Sequence, residues 1–367
     1  MKKYGFIFAL ISLVLTLVLT RTLSEVMKNS VPSHDKVQKR FEALLQNISE
    51  ISKDSNNKTL FVGTSIFQYF LDPSDFDEAM QSKGVLSKSY NLGFEGNIGS
   101  GTYAMMNRLE TEFKSRNAHF KNIIFEFSPA CLNKTFYNNH LFVIDIRHPQ
   151  IFLDNQTWDK IFIQNAPAAA YLLTNQILKP LDWEFLSYRK LLGFADYKKK
   201  LPGVADAFSS KIFYEVPEWD IKSSGLSNWN LPKTTIEFEN LIEDIHEVEN
   251  WKSMIFRYRI GNGISSSFSY EPSLVNYYIE SVRAASRMAD NVILVILPYA
   301  PSFQKSVDEF VDYEYLINKF SKETNAKIID YRKSFSNTDN DFADAMHLRK
   351  ENMKRYMNIL GHELSTK

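Results

Sequence analysis

Three side chains in this sequence have the types that nucleophilic acyl transfer requires, namely Ser65, Asp344 and His347. A serine hydroxyl becomes a useful nucleophile when a neighbouring base accepts its proton, and that base needs a carboxylate to orient it. Asp344 and His347 are three residues apart, so a tight turn or a first helical turn can present both side chains to one point. Ser65 lies near the other end of the chain, so the fold has to bring it to the pair.

The segments around these residues alternate between short apolar runs and stretches with helical spacing. The predicted strands are 59–62, 89–92, 122–127, 291–297 and 326–330, and the predicted helices are 75–83, 102–113, 274–288, 307–324 and 348–364. This alternation is typical of an α/β fold with a parallel sheet covered on both faces. Ligands bind such sheets beyond the carboxyl ends of the strands, and Ser65 directly follows the first strand. We expect Ser65 to meet His347 there if the first and fifth strands lie near each other.

Each of these residues also has a purely structural alternative. Ser65 could serve as the N-cap of a short helix over 66–70. Asp344 could cap the last helix, with His347 on the surface of that helix. The single cysteine, Cys131, excludes an intrachain disulfide, and we predict that it is an inert buried thiol.

Other features suggest a metal site or a sugar platform, and in both cases we favour the simpler reading. His140 and His148 flank Asp145, but scattered ligands in a polar stretch are more often surface residues. We therefore predict no metal and no cofactor. All five tryptophans lie between residues 158 and 251, where core packing is the default and stacking on a sugar ring the alternative.

The first 21 residues differ from the rest of the chain. An uncharged run, Tyr4 to Thr20, follows Lys2 and Lys3 and would span roughly 25 Å as a helix, enough to cross a thin bilayer. Positive charge before the run favours a cytoplasmic N-terminus. No Ala-x-Ala-type cleavage site follows the run, so we predict an uncleaved signal anchor over 1–21 rather than a cleaved signal peptide. Either places the remaining chain outside the cytoplasm.

The composition limits the classes of function. The 43 basic and 43 acidic residues give a net charge of zero, which disfavours nucleic-acid binding. Helical spacing over part of 22–57 predicts a stalk or first helix. The regular alternation stops over 131–270, which is rich in aromatic, Asn and Pro residues. We predict an insertion or cap there, after the third strand of a domain made of 58–130 and 271–367.

The ordered motifs resemble the SGNH (GDSL-type) hydrolase superfamily. They are Gly63-Thr64-Ser65 after the first strand, a glycine-bearing loop after the second, and Asp344-x-x-His347 near the C-terminus. The stretches Tyr90–Gly96 and Phe125–Pro129 resemble a membrane-anchored branch, which includes the alginate O-acetylation proteins and the teichoic-acid D-alanylation protein. This resemblance covers roughly 58–130 and 271–362. It implies a three-layer α/β/α flavodoxin-like sandwich with a parallel sheet.

The resemblance also implies roles for individual residues. Ser65 would be the nucleophile, His347 the general base and Asp344 the residue that orients it. The N–H groups of Ser65 and Gly96 would bind the oxyanion, with Gly93 as the alternative to Gly96. The family's third block supplies an oxyanion-hole asparagine, but this chain has Phe127-Ser128-Pro129 there, and Thr64 replaces the family's Asp. The best substitutes for the missing asparagine are, in order, Asn97 and Asn133.

The implied function is that of an extracytoplasmic serine O-acyltransferase or esterase, anchored by a single pass in a bacterial cytoplasmic membrane. It would act through an acyl-serine on an acyl ester of a cell-surface polysaccharide or lipid-linked glycan. A polytopic membrane protein that donates the acyl group is the implied partner. Two alternatives remain open: a simple esterase or lipase, and a catalytically inactive glycan-binding or assembly protein that keeps the fold.

Overall fold

The computed structural model describes residues 56–94, 99–135 and 251–365 continuously, together with Ser12, Leu15, Val18 and several helical positions between 41 and 53. The strands are β1 (Asn57–Gly63), β2 (Ser87–Gly93), β3 (Phe120–Glu126), β4 (Ala289–Ile296) and β5 (Lys327–Asp330). The helices are α1 (Ser65–Phe70), α2 (Pro73–Gln81), α3 (Ser100–Ser115), α4 (Trp251–Gly261), α5 (Pro272–Ser286), α6 (Pro301–Phe310), α7 (Tyr313–Thr324) and α8 (Lys350–Ser365).

The five strands form one parallel sheet in the order β2-β1-β3-β4-β5. This is the strand order of flavodoxin-like sheets, in which β2 lies on one side of β1 and the later strands are added on the other side. The point between β1 and β3, where the order of strands reverses, is the switch point of the sheet. The last five residues of β1, β2, β3 and β4 are all buried, as expected for strands covered on both faces. The predicted α/β class with a parallel sheet is therefore confirmed.

The helices pack in two groups. α8 lies against α2 beside β2, whereas α5 packs against α3, α7 and β4. Because crossovers between parallel strands are right-handed, α2 lies on one face of the sheet and the α3–α5–α7 group lies on the other. The amphipathic helices bury their apolar faces against the sheet from both sides, which forms a single core.

One predicted helix is wrong. The stretch 307–324 is interrupted, because α6 ends at Phe310 and α7 begins at Tyr313. Between them the backbone of Val311 is extended, and the side chain of Asp312 accepts a hydrogen bond from the N–H of Tyr315 at 2.9 Å. This N-cap starts a new helix, so the helical spacing of the apolar residues continues across a break in the backbone.

The N-terminal region is described only in part. Four apolar side chains of the predicted stalk, Phe41, Leu44, Ile48 and Ile51, are buried in the main core. These four described positions of the segment 22–57 thus pack onto the sheet domain instead of standing apart from it. Of the predicted anchor over 1–21, only three positions are described. None of the helices in the described part of the chain combines the length and the apolar character that a membrane span needs.

The two ends of the predicted insertion lie side by side. Asn133 pairs with Tyr270 in an antiparallel bridge, and the N–H of Lys134 donates to the carbonyl of Ser269 at 2.9 Å. We refer to this pairing, Asn133–Lys134 with Ser269–Tyr270, as the neck. Residues 136–250, including His140, Asp145, His148 and the first four tryptophans, lie outside the described residues. Beyond them the chain returns through α4.

Candidate active site

Ser65 is presented by a tight connection between β1 and α1. Thr64 is the N-cap of α1, and its hydroxyl accepts a hydrogen bond from the N–H of Ile66 at 3.5 Å. Ser65 is therefore the first residue of the helix, and its structural alternative as the N-cap is wrong. The N–H groups of a first helical turn have no acceptor within the helix, so they point toward the space in front of it.

Helix α1 lies unusually close to the ends of β1 and β2. A Cβ atom on Gly63 would lie 2.8 Å from Cδ2 of Phe67, and one on Gly93 would lie 2.5 Å from the backbone nitrogen of Gln68. A larger residue at either of these paired positions would therefore collide with α1. The close approach therefore requires glycine at both strand ends, and it determines where Ser65 stands.

A buried asparagine in β2 holds the other end of α1. Nδ2 of Asn91 donates to the carbonyl oxygens of Phe67 and Leu71 at 2.6 and 2.9 Å. Its Oδ1 accepts the N–H of Gly93 at 2.8 Å. Asn91 is completely buried, and these three bonds satisfy both the donor and the acceptor of its amide. Helix α1 is thus fixed at both ends.

The structure brings Ser65, His347 and Asp344 into one hydrogen-bonded chain, which we call the relay. Oγ of Ser65 lies 2.7 Å from Nε2 of His347, and Nδ1 of His347 lies 2.7 Å from Oδ2 of Asp344. The carboxylate fixes the imidazole proton on Nδ1, which leaves Nε2 to accept the proton of the serine hydroxyl. His347 is 9% exposed and Asp344 is fully buried, so the relay is shielded from water on its carboxylate side.

The Asp344–His347 pair lies in a tight turn before α8. Oδ1 of Asp344 accepts the N–H groups of Met346 and His347 at 2.8 and 2.9 Å, and the turn is closed by a bond from the N–H of Ala343 to the carbonyl of His347. Because α8 begins only at Lys350, Asp344 does not cap it and His347 does not lie on its surface. The structural alternative for this pair is therefore wrong.

The pair reaches Ser65 by a route that the sequence analysis did not anticipate. β1 and β5 are separated by β3 and β4, so the expectation that the first and fifth strands lie near each other is wrong. Instead, the segment 331–349 crosses the carboxyl edge of the sheet. It passes Ala300, whose N–H donates to the carbonyl of Ala345 at 3.0 Å, and arrives beside α1 and α2.

A tyrosine from α4, within the predicted insertion 131–270, also contacts the relay. The hydroxyl of Tyr258, in α4, donates to Oδ2 of Asp344 at 2.7 Å. Burial alone would raise the pKa of Asp344, but the imidazole of His347, the hydroxyl of Tyr258 and the N–H of Met346 together lower it to about 2. Asp344 is consequently ionised at neutral pH and can stabilise a protonated His347.

A second buried carboxyl group, that of Glu126, lies at the end of β3. It is beside the tight connection from Gly63 to Ser65, which we call the nucleophile turn. Its Oε2 accepts the N–H of Thr64 at 2.8 Å, and its Oε1 accepts the hydroxyls of Thr64 and Ser128 at 2.8 and 3.0 Å. Burial raises the pKa of Glu126, and the hydrogen bonds from Thr64 and Ser128 oppose that rise. Glu126 borders a small cavity between the carboxyl ends of β1 and β3, whose far wall includes Thr102, Leu132 and Tyr278.

The predicted oxyanion donors differ in where they lie and in whether they are already hydrogen-bonded. Ser65 is at the helix start, as described above. The N–H of Gly93 is engaged by Asn91, so the structure does not offer it to a ligand. Gly96 and Asn97 lie outside the described residues. The side chain of Asn133, the second substitute for the missing asparagine, instead donates to the carbonyls of Ala130 and Asn262 at 2.6 Å each.

The remaining candidates do not add ligands to this site. Within 56–94, 99–135 and 251–365, no three His, Cys, Asp or Glu side chains are grouped as a metal site would require. Cys131 is buried, and burial raises the pKa of its thiol to about 12. The predicted burial of this thiol is confirmed, and its inertness stays a prediction.

Sequence reasoning missed Glu126, Tyr258 and Asn91 as parts of the site. An acidic residue within the apolar run Ile123–Phe127 was a usable signal for Glu126. Tyr258 offered no such signal, since its contact with Asp344 depends on how α4 is placed in three dimensions. No family model matches this chain, and no curated protein is significantly similar to it.

Proposed function

We propose that this chain is an SGNH-like serine acyl-transfer enzyme, membrane-anchored and extracytoplasmic, which passes an acyl group through Ser65 to or from a cell-surface glycan. The observation that carries the proposal is the relay from Oγ of Ser65 through His347 to a buried, ionised Asp344. The relay lies at the switch point of a sheet with flavodoxin-like strand order, and this location supports the SGNH-like α/β/α sandwich in particular.

In the first half-reaction, Oγ of Ser65 attacks the carbonyl carbon of the acyl donor while its proton passes to Nε2 of His347. The negative charge that develops on the carbonyl oxygen is stabilised by the N–H of Ser65 and a donor from the loop after β2. When the intermediate collapses, the bond to the leaving alcohol breaks and His347 returns the proton to that alcohol. Asp344 stays ionised and stabilises the imidazolium throughout.

In the second half-reaction, an acceptor hydroxyl gives its proton to His347 and attacks the acyl-Ser65 ester. Collapse releases the new ester, and Ser65 recovers its proton from His347. A glycan hydroxyl gives transfer and water gives hydrolysis, so a single site serves both outcomes. The family's oxyanion asparagine is missing at the end of β3, where Ser128 donates to Glu126 instead. Losing one such donor slows attack by water and by a glycan hydroxyl alike, by about 100- to 1000-fold. A slow enzyme gives more product by transfer when binding positions the glycan hydroxyl at the acyl-serine, which is why we propose transfer.

The biological setting of the proposal rests on the sequence. Residues 1–21 would anchor the chain in a bacterial cytoplasmic membrane, and 131–270 would cap the domain formed by 58–130 and 271–367. The acceptor would be a polysaccharide or lipid-linked glycan, and a polytopic membrane protein would supply the acyl group. A simple esterase or lipase uses the same relay and is the second candidate, whereas an inactive glycan-binding protein has no need of it.

The experiment compares the full-length protein in detergent with Ser65→Ala and with Ser286→Ala, a control serine at the end of α5 that bonds only within its helix. Each protein is treated with a fluorophosphonate probe and with an activated acetyl ester. We expect wild type and Ser286→Ala to be labelled and to release a burst of alcohol, and Ser65→Ala to do neither. Absence of labelling in wild type would overturn the enzyme proposal. Adding glycan oligomers then distinguishes acetylated glycan from free acetate.

A further inference from the structure

The two carboxylate oxygens of Asp344 are held in different ways. Oδ1 accepts two N–H groups of its own turn, from Met346 and His347, and it also lies 2.8 Å from Nδ1 of His347. Oδ2 lies 2.7 Å from Nδ1 of His347 and accepts the hydroxyl of Tyr258, also at 2.7 Å. Both oxygens therefore face the imidazole, and Oδ2 is the one that also accepts a hydrogen bond from a distant helix.

Tyr258 is well placed to fix that oxygen. It lies on α4, which packs against α6, and its ring meets the edge of the Phe303 ring at a centroid distance of 6.1 Å. Phe303 is completely buried, so this contact anchors the tyrosine ring independently of the hydroxyl. A hydrogen bond from a pre-positioned neutral donor to a buried carboxylate is among the stronger hydrogen bonds in proteins.

We propose that Tyr258 is a positioning residue of the Asp344–His347 pair. Its hydroxyl holds Oδ2 in place while both oxygens face Nδ1, and it takes up part of the carboxylate charge, which limits how strongly Asp344 stabilises a protonated His347. As far as catalysis is concerned, this inference rests on the proposed function. It also assigns a role to the predicted insertion, since α4 lies within 131–270 and outside the segments that resemble SGNH proteins.

The charged and titratable groups around His347 determine the sign of the expected effect. Asp344 faces Nδ1, Tyr258 reaches Asp344 from α4, and Glu126 on β3 is close enough for its charge to interact with that of His347. Phe70 of α1 contacts the imidazole with its ring and carries no charge. If the Tyr258 hydroxyl is removed, the negative charge of Asp344 is less dispersed. The imidazolium of His347 is then more stable, and the pKa of His347 rises.

The experiment uses full-length Tyr258→Phe, which keeps the ring and removes only the hydroxyl. The matched control is Tyr270→Phe, whose hydroxyl donates to the backbone carbonyl of Asp312 and not to the relay. The imidazole of His347 is titrated by NMR, with the resonance assigned from a His347→Gln sample. We expect Tyr258→Phe to raise the pKa of His347 by about 0.5 to 1 pH unit, the equivalent of one net hydrogen bond, and Tyr270→Phe to leave it unchanged. Equal pKa values in all three proteins would overturn the proposal.

A second substitution predicts the opposite shift and does not depend on how well the phenylalanine variant folds. Incorporating 3-fluorotyrosine at position 258 makes the phenol a stronger donor, so the pKa of His347 should fall relative to wild type. A shift in the same direction as in Tyr258→Phe would indicate a steric role and overturn the inference.

Kinetics provide the readout on activity. With the activated ester, Tyr258→Phe should lower kcat about tenfold with little change in KM, and move the acid limb of the pH profile upward by the amount that NMR gives. If wild type has no activity and no serine labelling, the proposed function fails while the NMR titration still tests Tyr258. If wild type is active and the titration is unchanged by the substitution, the inference fails while the proposed function stands.

Discussion

Replacing Glu126 with alanine should destabilise the fold strongly. The substitution removes the acceptor for the N–H of Thr64, which cannot turn elsewhere because it belongs to the cap of α1. Leaving a buried N–H unpaired costs about 1–3 kcal/mol. Glu126 is only 3% exposed, so deleting its side chain also leaves a cavity, which costs about 2 kcal/mol or more. We expect a total loss of about 3–5 kcal/mol.

Glutamine at the same position is the matched comparison. It preserves the volume, and its amide oxygen can still accept the N–H of Thr64. The hydroxyls of Thr64 and Ser128 lose an acceptor but are free to rotate, so we expect a cost of about 1 kcal/mol near pH 5. The difference in the free energy of unfolding between Glu126→Ala and Glu126→Gln therefore measures the hydrogen-bond acceptor and the filled volume without the charge.

The charge of Glu126 adds a dependence on pH. Because burial raises its pKa above the ordinary value of 4.5, the folded protein retains this proton at pH values where the unfolded chain has already lost it. Stability from this group is complete at acid pH and declines as the pH rises from 4.5 through the raised pKa. Glutamine does not titrate, so the stability of Glu126→Gln relative to wild type should increase from pH 4 to pH 8.

Urea unfolding of the full-length protein at pH 4, 6 and 8, followed by tryptophan fluorescence and circular dichroism, measures these differences. The reasoning is refuted if Glu126→Ala is within 0.5 kcal/mol (about the usual range for surface substitutions) of Glu126→Gln at pH 6. A relative stability of Glu126→Gln that falls between pH 4 and pH 8 would equally contradict the assigned direction of the pKa shift.

Four further predictions concern the nucleophile turn, the relay and the single thiol. Gly63→Ala should cost about 1–3 kcal/mol in thermal unfolding, because the new Cβ meets Oε2 of Glu126 at 2.7 Å; an unchanged melting temperature would contradict this. Asn91→Ala should cost about 2–4 kcal/mol and slow fluorophosphonate labelling, since α1 loses two bonds at its C-terminal end; unaltered labelling would show that this tether does not position the nucleophile. Asp344→Asn should lower kcat about 10⁴-fold with KM little changed, and a loss below tenfold would argue against the relay. Cys131 should resist a thiol reagent at pH 8 until the protein is unfolded in urea, given its burial and its pKa of about 12.

Much of the sheet could be predicted because its strands coincide with short apolar runs in the sequence. Each predicted strand is present with its bounds shifted by a few residues, and the run at 291–297 corresponds to β4. The break between α6 and α7 was missed because apolar spacing reports which face is buried, not whether the backbone is continuous. Asp312, the N-cap of α7, was the local signal in the sequence that a new helix begins there.

The candidate site could be predicted where local chemistry carries the information. Asp344-x-x-His347 forms its turn from its own side chain and amides, and Ser65 stands directly after a strand. Glu126 and Tyr258 could not be assigned in the same way. The role of Glu126 depends on the register of β3 against β1, and that of Tyr258 on the packing of α4 against α6. Such information is distributed over residues that are distant in the sequence.

The neck has a consequence for how this protein can vary. Because Asn133–Lys134 and Ser269–Tyr270 hold the two ends of the intervening chain together, β3 and α5 keep their places whatever the length of the chain between them. The entropy of closing a flexible loop grows only with the logarithm of its length, and each doubling costs about 0.6 kcal/mol. Chain inserted or removed between Thr135 and α4 therefore changes the closure cost of the neck only slightly. Such a change leaves the sheet, the nucleophile turn and the contact of Tyr258 with Asp344 in place.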